Sequence, residues 1–163
     1  MSSKESSPPQ VNALSQIPTA ISLSKTLSDE NSDQLGSNAF TILKDLRIQN
    51  LKNVIIGHLN INSLRNKFNG LAELMRGKLD ILVLTETKLD YTFPEKQFLV
   101  PGYKKPFRLD RNTYGGGVMI YVREDIPCDI LSKHNIPTDV EAIFVEINLR
   151  KNKLLASTIY VIH

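Results

Sequence analysis

The chain has 163 residues, 41% hydrophobic and 23% charged, with a formal charge of +3 and a pI near 9.0. These values describe one ordinary globular domain whose mild basicity permits a nucleic-acid partner without requiring one. No apolar run approaches a membrane span and no signal-peptide core opens the sequence, so no membrane partner is expected; a single cysteine, Cys128, excludes an intrachain disulfide and a cysteine zinc cluster and suits the cytosol or nucleus.

Residues 1–38 are rich in Ser, Pro, Asn and Gln and show no sustained hydrophobic period, which predicts a disordered tail. Residues 39–51 differ. Phe40, Ile42, Leu43, Leu46 and Ile48 fit a short amphipathic helix, packed on the domain edge or serving as a linker.

The domain proper is expected over 52–163. Val54–Leu59 reads as a strand, followed by Asn60. Ser63 is a candidate helix N-cap, and Leu64, Phe68, Leu71, Leu74 and Met75 recur at helical spacing up to Gly77. Ile81–Leu84 is then a short, wholly apolar run, the mark of a strand buried on both faces, and it stops at Thr85-Glu86-Thr87-Lys88. Strand, helix, strand is a βαβ unit with two parallel strands. Both strands end on one edge, so if they are neighbours Asn60 and Glu86 sit side by side there. Carboxyl ends of strands are where open α/β sheets present their chemistry. Glu86 can ligate a hard divalent cation, and Asn60 can donate to a phosphate oxygen. Taken singly, each has a plain alternative: Glu86 as the strand's exit to water, Asn60 as a turn residue bonded to its own backbone.

Further along, Asp90–Pro106 carries loop chemistry. Gly115-Gly116-Gly117 is not a P-loop, because no Gly-Lys-Ser/Thr follows; it enters a strand at Val118–Arg123 in which side chains alternate. Arg108, Arg111 and Tyr114 lie just before it, either contacting a DNA backbone or forming a solvated charged loop. Ala142–Leu149 and Lys153–Val161 read as a hairpin with a basic tip at Arg150-Lys151-Asn152.

Two segments, HLNINSLRNK and LDILVLTETKL, together resemble the endonuclease/exonuclease/phosphatase superfamily, and most of all the endonuclease domain of non-LTR retrotransposon reverse-transcriptase proteins. PFRLDRNTYGGGVMIYVRED is similar to the retroelement form of that family's third segment. The family's first motif is an Asn ending the first strand, matched by Asn60. Its second is a Glu within QET or SET, matched by Glu86 with Lys88 after it and Thr85 in place of Gln. A Tyr near the end of a later strand matches Tyr160, although Val161-Ile162-His163 departs from what usually follows. The resemblance implies a four-layer α/β sandwich and Mg²⁺-dependent hydrolysis of DNA phosphodiester bonds. On that basis Asn60, Glu86 and Tyr160 are catalytic, Glu86 is the metal ligand, and Arg65, Lys88, Arg108 and Arg111 contact DNA.

The family's later motifs, Gly-Asp-Phe-Asn, an Asn-containing loop and Ser-Asp-His, are absent from the sequence. His58, His134 and His163 do not occupy the family's histidine position. The expectation is therefore the N-terminal half of the sandwich, binding Mg²⁺ weakly and inactive alone, with the missing C-terminal half as its partner. That half should supply the second sheet, leaving an apolar sheet face uncovered. The alternative is a non-enzymatic nucleic-acid- or protein-binding remnant using Lys104–Arg111 and Arg150–Lys153.

Overall fold

A computed structural model describes residues 19–22, 32–131, 137–149 and 152–161. The centre of the fold is the predicted βαβ unit. Strand β2 (Ile55–Asn60) and strand β3 (Ile81–Thr85) are parallel neighbours, with Asn60 paired to Thr85. Between them runs a short helix (Phe68–Met75), called α2 because a longer helix, α1 (Ser32–Gln49), precedes it. Leu71, Ala72, Leu74 and Met75 of α2 pack with Ala39 and Leu43 of α1 over one face of the sheet. A strand β1 (Thr19–Ser22) adds in parallel to the open side of β2.

Two boundaries differ from the sequence reading. Helix α1 begins at Ser32 rather than 39, and β1 lies inside the stretch read as a tail. The free edge of β2 offers unpaired backbone groups whatever the composition of the strand that meets it, a pairing no hydrophobic period announces. The rest of that stretch lies outside the described residues. Ser63 is not a helix cap: its φ is 78°, α2 starts only at Phe68, and its capping position, Lys67, makes no side-chain cap bond. The Ser63 and Leu64 amides instead donate to the Glu86 and Thr87 carbonyls, at 2.8 and 3.0 Å, so this stretch is committed to the exit of β3.

Beyond β3 the sheet continues antiparallel through β5 (Val118–Val122) to β4 (Phe107–Leu109), in the order β1-β2-β3-β5-β4. The second sheet is β6 (Cys128–Ile130), β7 (Val140–Asn148) and β8 (Lys153–Val161), in that order. Val83, Val118, Ile120 and Val122 of the first sheet meet Ile143, Val145, Ile147 and Ala156 of the second. This corrects the expected architecture. The chain supplies three strands of the second sheet itself, and β3 and β5 are buried along their whole length, covered by helices on one side and a sheet on the other. The apolar face left open is the outer face of the second sheet, where Leu155, Ile159 and Val161 stand exposed. The fold is thus mixed α/β in three layers: helices, five-stranded sheet, three-stranded sheet. No described helix is long and apolar enough to cross a membrane.

At the end of the sheet away from Glu86, Asp80 is fully buried at the start of β3. It accepts from the Ile55 amide (2.6 Å), from Arg47 (2.5 Å) and from Arg123, tying α1, β2 and the end of β5 to one carboxylate.

Candidate active site at the strand-end edge

Thr85–Lys88 leaves β3 as a strap held from two sides. On one side the Ile61, Ser63 and Leu64 amides donate to the carbonyls of Thr85, Glu86 and Thr87; on the other, the Thr87 and Lys88 amides donate to Gly117 and Gly116. Among the described residues the non-glycine positions with positive φ are Asn62 (44°), Ser63 (78°), Glu86 (58°) and Lys88 (52°), and all four belong to this edge. Side chains in that region carry strain of about 1–2 kcal/mol each, and such strain concentrates at functional sites. The glycines opposite allow close approach. A Cβ on Gly117 (φ 81°) would collide with Thr87 Oγ1, and one on Gly116 (φ 74°) would press on Glu141 Oε2 and Arg111 Cδ.

The Glu86 carboxylate lies in the middle of this arrangement. Its Oε2 accepts from the Gly116 amide at 3.2 Å. The Glu86 carboxylate beside the Tyr160 hydroxyl holds the phenol's pKa above its ordinary value; partial burial and the negative charge of Glu141 add to the rise, while Arg111 opposes it. Asn60 Oδ1 accepts from the Asn62 amide at 3.2 Å, the turn-type bond that was its plain alternative, and its Nδ2 has no partner among the described residues. The three residues offered as catalytic therefore stand at one edge: Asn60 at the end of β2, Glu86 just past β3 and Tyr160 at the end of β8, near Glu86.

The basic residues divide. Lys88 Nζ donates to Asn62 Oδ1 at 2.7 Å. Lys67, not singled out by sequence, donates to the carbonyls of Ile61 (2.7 Å) and Asn62 (3.0 Å) on the same loop, and burial and the nearby Lys88 charge lower its pKa. Arg111 pairs with Glu141 at 3.6 Å. Arg65 sets its guanidinium 5.1 Å over the Phe93 ring. Arg108 points inward: it forks onto Asp110, reaches the Asp90 carbonyl and covers Phe98, so it holds the loop and offers little to a ligand. Arg150 and Lys151 lie outside the described residues.

Glu141 is the residue sequence reasoning missed. It faces Tyr160 across the β7–β8 pair, is buried, and accepts the Gly117 amide at 2.7 Å. It thereby fastens the glycine turn whose preceding amide, that of Gly116, holds Glu86. The signal was present in the period: Glu141 is in phase with Ile143, Val145 and Ile147, a carboxylate in the inward row of an apolar strand.

Among the described residues no three His, Cys, Asp or Glu side chains are grouped to hold a metal. The chemistry of the donor set fits a hydrated hard cation on one ligand. Glu86 keeps lone pairs beyond the one used by Gly116, and Mg²⁺ commonly binds through one or two carboxylates while retaining several waters.

The sequence profile described as the Endonuclease/Exonuclease/phosphatase family matches residues 57–159, more than half of the chain. The chain belongs to the endonuclease/exonuclease/phosphatase family. No curated protein matches it. Similar solved structures include a 3′ phosphatase, NExo, from Neisseria bound to product DNA hairpin, at 24% identity and TM-score 0.42, covering 61% of this chain and 39% of that one. The 3′-5′ exonuclease NExo from Neisseria meningitidis is similar at 23% identity and TM-score 0.41, with the same coverage. TDP2 from D. rerio complexed with single strand DNA product is similar at 17% identity and TM-score 0.46, covering 66% and 46%. The chain thus spans less than half the length of each of these relatives.

Proposed function

We propose that this chain is the N-terminal part of a Mg²⁺-dependent DNA endonuclease domain of the non-LTR retrotransposon type. The observation that carries the reading is the convergence of Asn60, Glu86 and Tyr160 on one strained edge, at the ends of β2, β3 and β8. The retroelement assignment is supported by RLDRNTYGGGVMIYVRED, whose glycines make the close approach to Thr87 and Glu141. Glu86 would hold the metal. Mg²⁺ bound there would supply charge neutralisation at the phosphate and the leaving oxygen. Asn60 Nδ2 and the Tyr160 hydroxyl are donors for phosphate oxygens. Lys88, Lys67 and Arg111 set a positive field around them.

Groups that orient an attacking water belong to the family's later motifs, and residues acting as one unit fail together. The chain alone is therefore expected not to nick supercoiled plasmid in Mg²⁺, whereas the chain joined to a family C-terminal half nicks it, and Glu86→Gln or Asn60→Ala abolishes that activity. Nicking by the joined protein that survives both substitutions would overturn the assignment. The second reading, a binding module without hydrolysis, draws on the Lys67–Lys88 pair, which can hold a phosphate without any metal.

A further inference from the structure

Beside the strand-end edge lies an open groove of about 280 Å³ whose walls are not used by the chemistry above. Asn66, Asn69 and Gln97 line it, and none of these carboxamides has a partner among the described residues. Each offers both a donor and an acceptor. Phe93 and the Arg65 guanidinium stacked on it form one wall. Phe68 and Phe98, in edge-to-face contact at 5.5 Å between ring centroids, close it from below.

We propose that this groove seats an unpaired nucleobase of a single DNA strand whose backbone follows the Lys67–Lys88 rim. The inference rests on the reading of DNA as ligand of the adjacent edge, and names the part of the strand this chain would hold. Three features carry it. A planar group can stack on an arginine plane or an aromatic ring while amides read its edge, which is how unpaired bases are bound. The groove is preformed: the Phe93 amide donates to the Asp90 carbonyl at 3.2 Å, and Asp90 Oδ1 also accepts from the Thr92 amide at 2.9 Å, so little ordering is left to binding. Its charge suits a neutral ring better than a second phosphate, because Arg65 is the one cation lining it among the described residues and lies within the field of Asp90. Position agrees as well. Arg65 follows Leu64, whose amide bonds to Thr87 next to Glu86.

The test compares a six-nucleotide single-stranded DNA with an abasic strand of the same length and charge, read by fluorescence anisotropy and by side-chain amide resonances of the full chain. The base-bearing strand is expected to bind about tenfold more tightly, and it alone should shift the amide signals of Asn66, Asn69 and Gln97. An Asn69→Ala/Gln97→Ala double variant, exposed at both positions, should lose most of the preference while binding the abasic strand as before. Phe93→Ala should do the same, and Lys88→Ala should weaken both strands alike. Equal affinity for the two strands, absent amide shifts, or a preference that survives both groove variants would overturn the proposal. Base preference retained in a joined protein whose Asn60 and Glu86 variants still hydrolyse DNA would uphold the groove and remove the catalytic edge.

Discussion

Gly117 shows how tightly the site is built at the level of single atoms. Its φ of 81° and the collision of any Cβ with Thr87 Oγ1 act together, so Gly117→Ala should cost at least about 2 kcal/mol in urea unfolding. Thr87→Ala removes the colliding oxygen and leaves the φ strain, so the double variant should recover part of the loss, with a coupling of about 1 kcal/mol. Glu141→Ala leaves the Gly117 amide and the Arg111 guanidinium without their acceptor. It should cost about 1–3 kcal/mol, and Glu141→Gln less, because an amide oxygen can still accept from Gly117. The tyrosines set the alkaline limit. Burial raises the pKa of Tyr103 and Tyr121 well above the ordinary phenol value. Above about pH 10 the unfolded chain releases these protons while the folded chain keeps them. Their contribution is thus complete below that pH and is lost as pH rises towards the folded values. Urea midpoints should hold to about pH 9.5 and fall above about pH 10, and fall less steeply in Tyr121→Phe.

Among the elements, β3 is anchored at both ends by carboxylates with opposite duties. Asp80 at its start is saturated by Ile55, Arg47 and Arg123, while Glu86 past its end keeps capacity for a ligand. Asp80→Asn strands two guanidinium groups in a part-buried site and should cost about 3 kcal/mol, measured by urea unfolding. These two carboxylates also show what the sequence made legible. Glu86 and Asn60 were readable because each interrupts or ends an apolar run, and a βαβ unit must bring such ends together. Tyr160 was readable only through the family motif, since nothing in the period of β8 sets it apart. Asp80 was passed over because its partners come from distant elements, which local pattern does not encode; Glu141 was passed over although it stands in the inward row of β7. Ser63 misled for a related reason: a serine before a helical period reads as a cap, yet its backbone is turned left-handed by bonds to β3. The three-residue strands β4 and β6 are too short to show a period, and the four-residue β1 is nearly as short.

For the molecule as a whole, the three layers leave the second sheet clothed on its inner face only. Leu155, Ile159 and Val161 project outward from β8, the last strand of that sheet among the described residues. An apolar, unpaired edge of this kind favours association between chains. Leu155→Lys with Ile159→Thr should raise the concentration at which light scattering begins, and leave the urea midpoint within about 0.5 kcal/mol of the parent because both positions are exposed. The strap Thr85–Lys88 carries a different consequence. Its amides and carbonyls are shared between the 61–64 loop and the glycine turn, so the two flanks cannot open independently of it. A ligand that seats on Glu86 therefore acts as a rivet through both. Hydrogen exchange at Ser63, Leu64, Thr87 and Lys88 should slow by one common factor as DNA or a divalent cation is added, making four amides in two separate segments report a single occupancy.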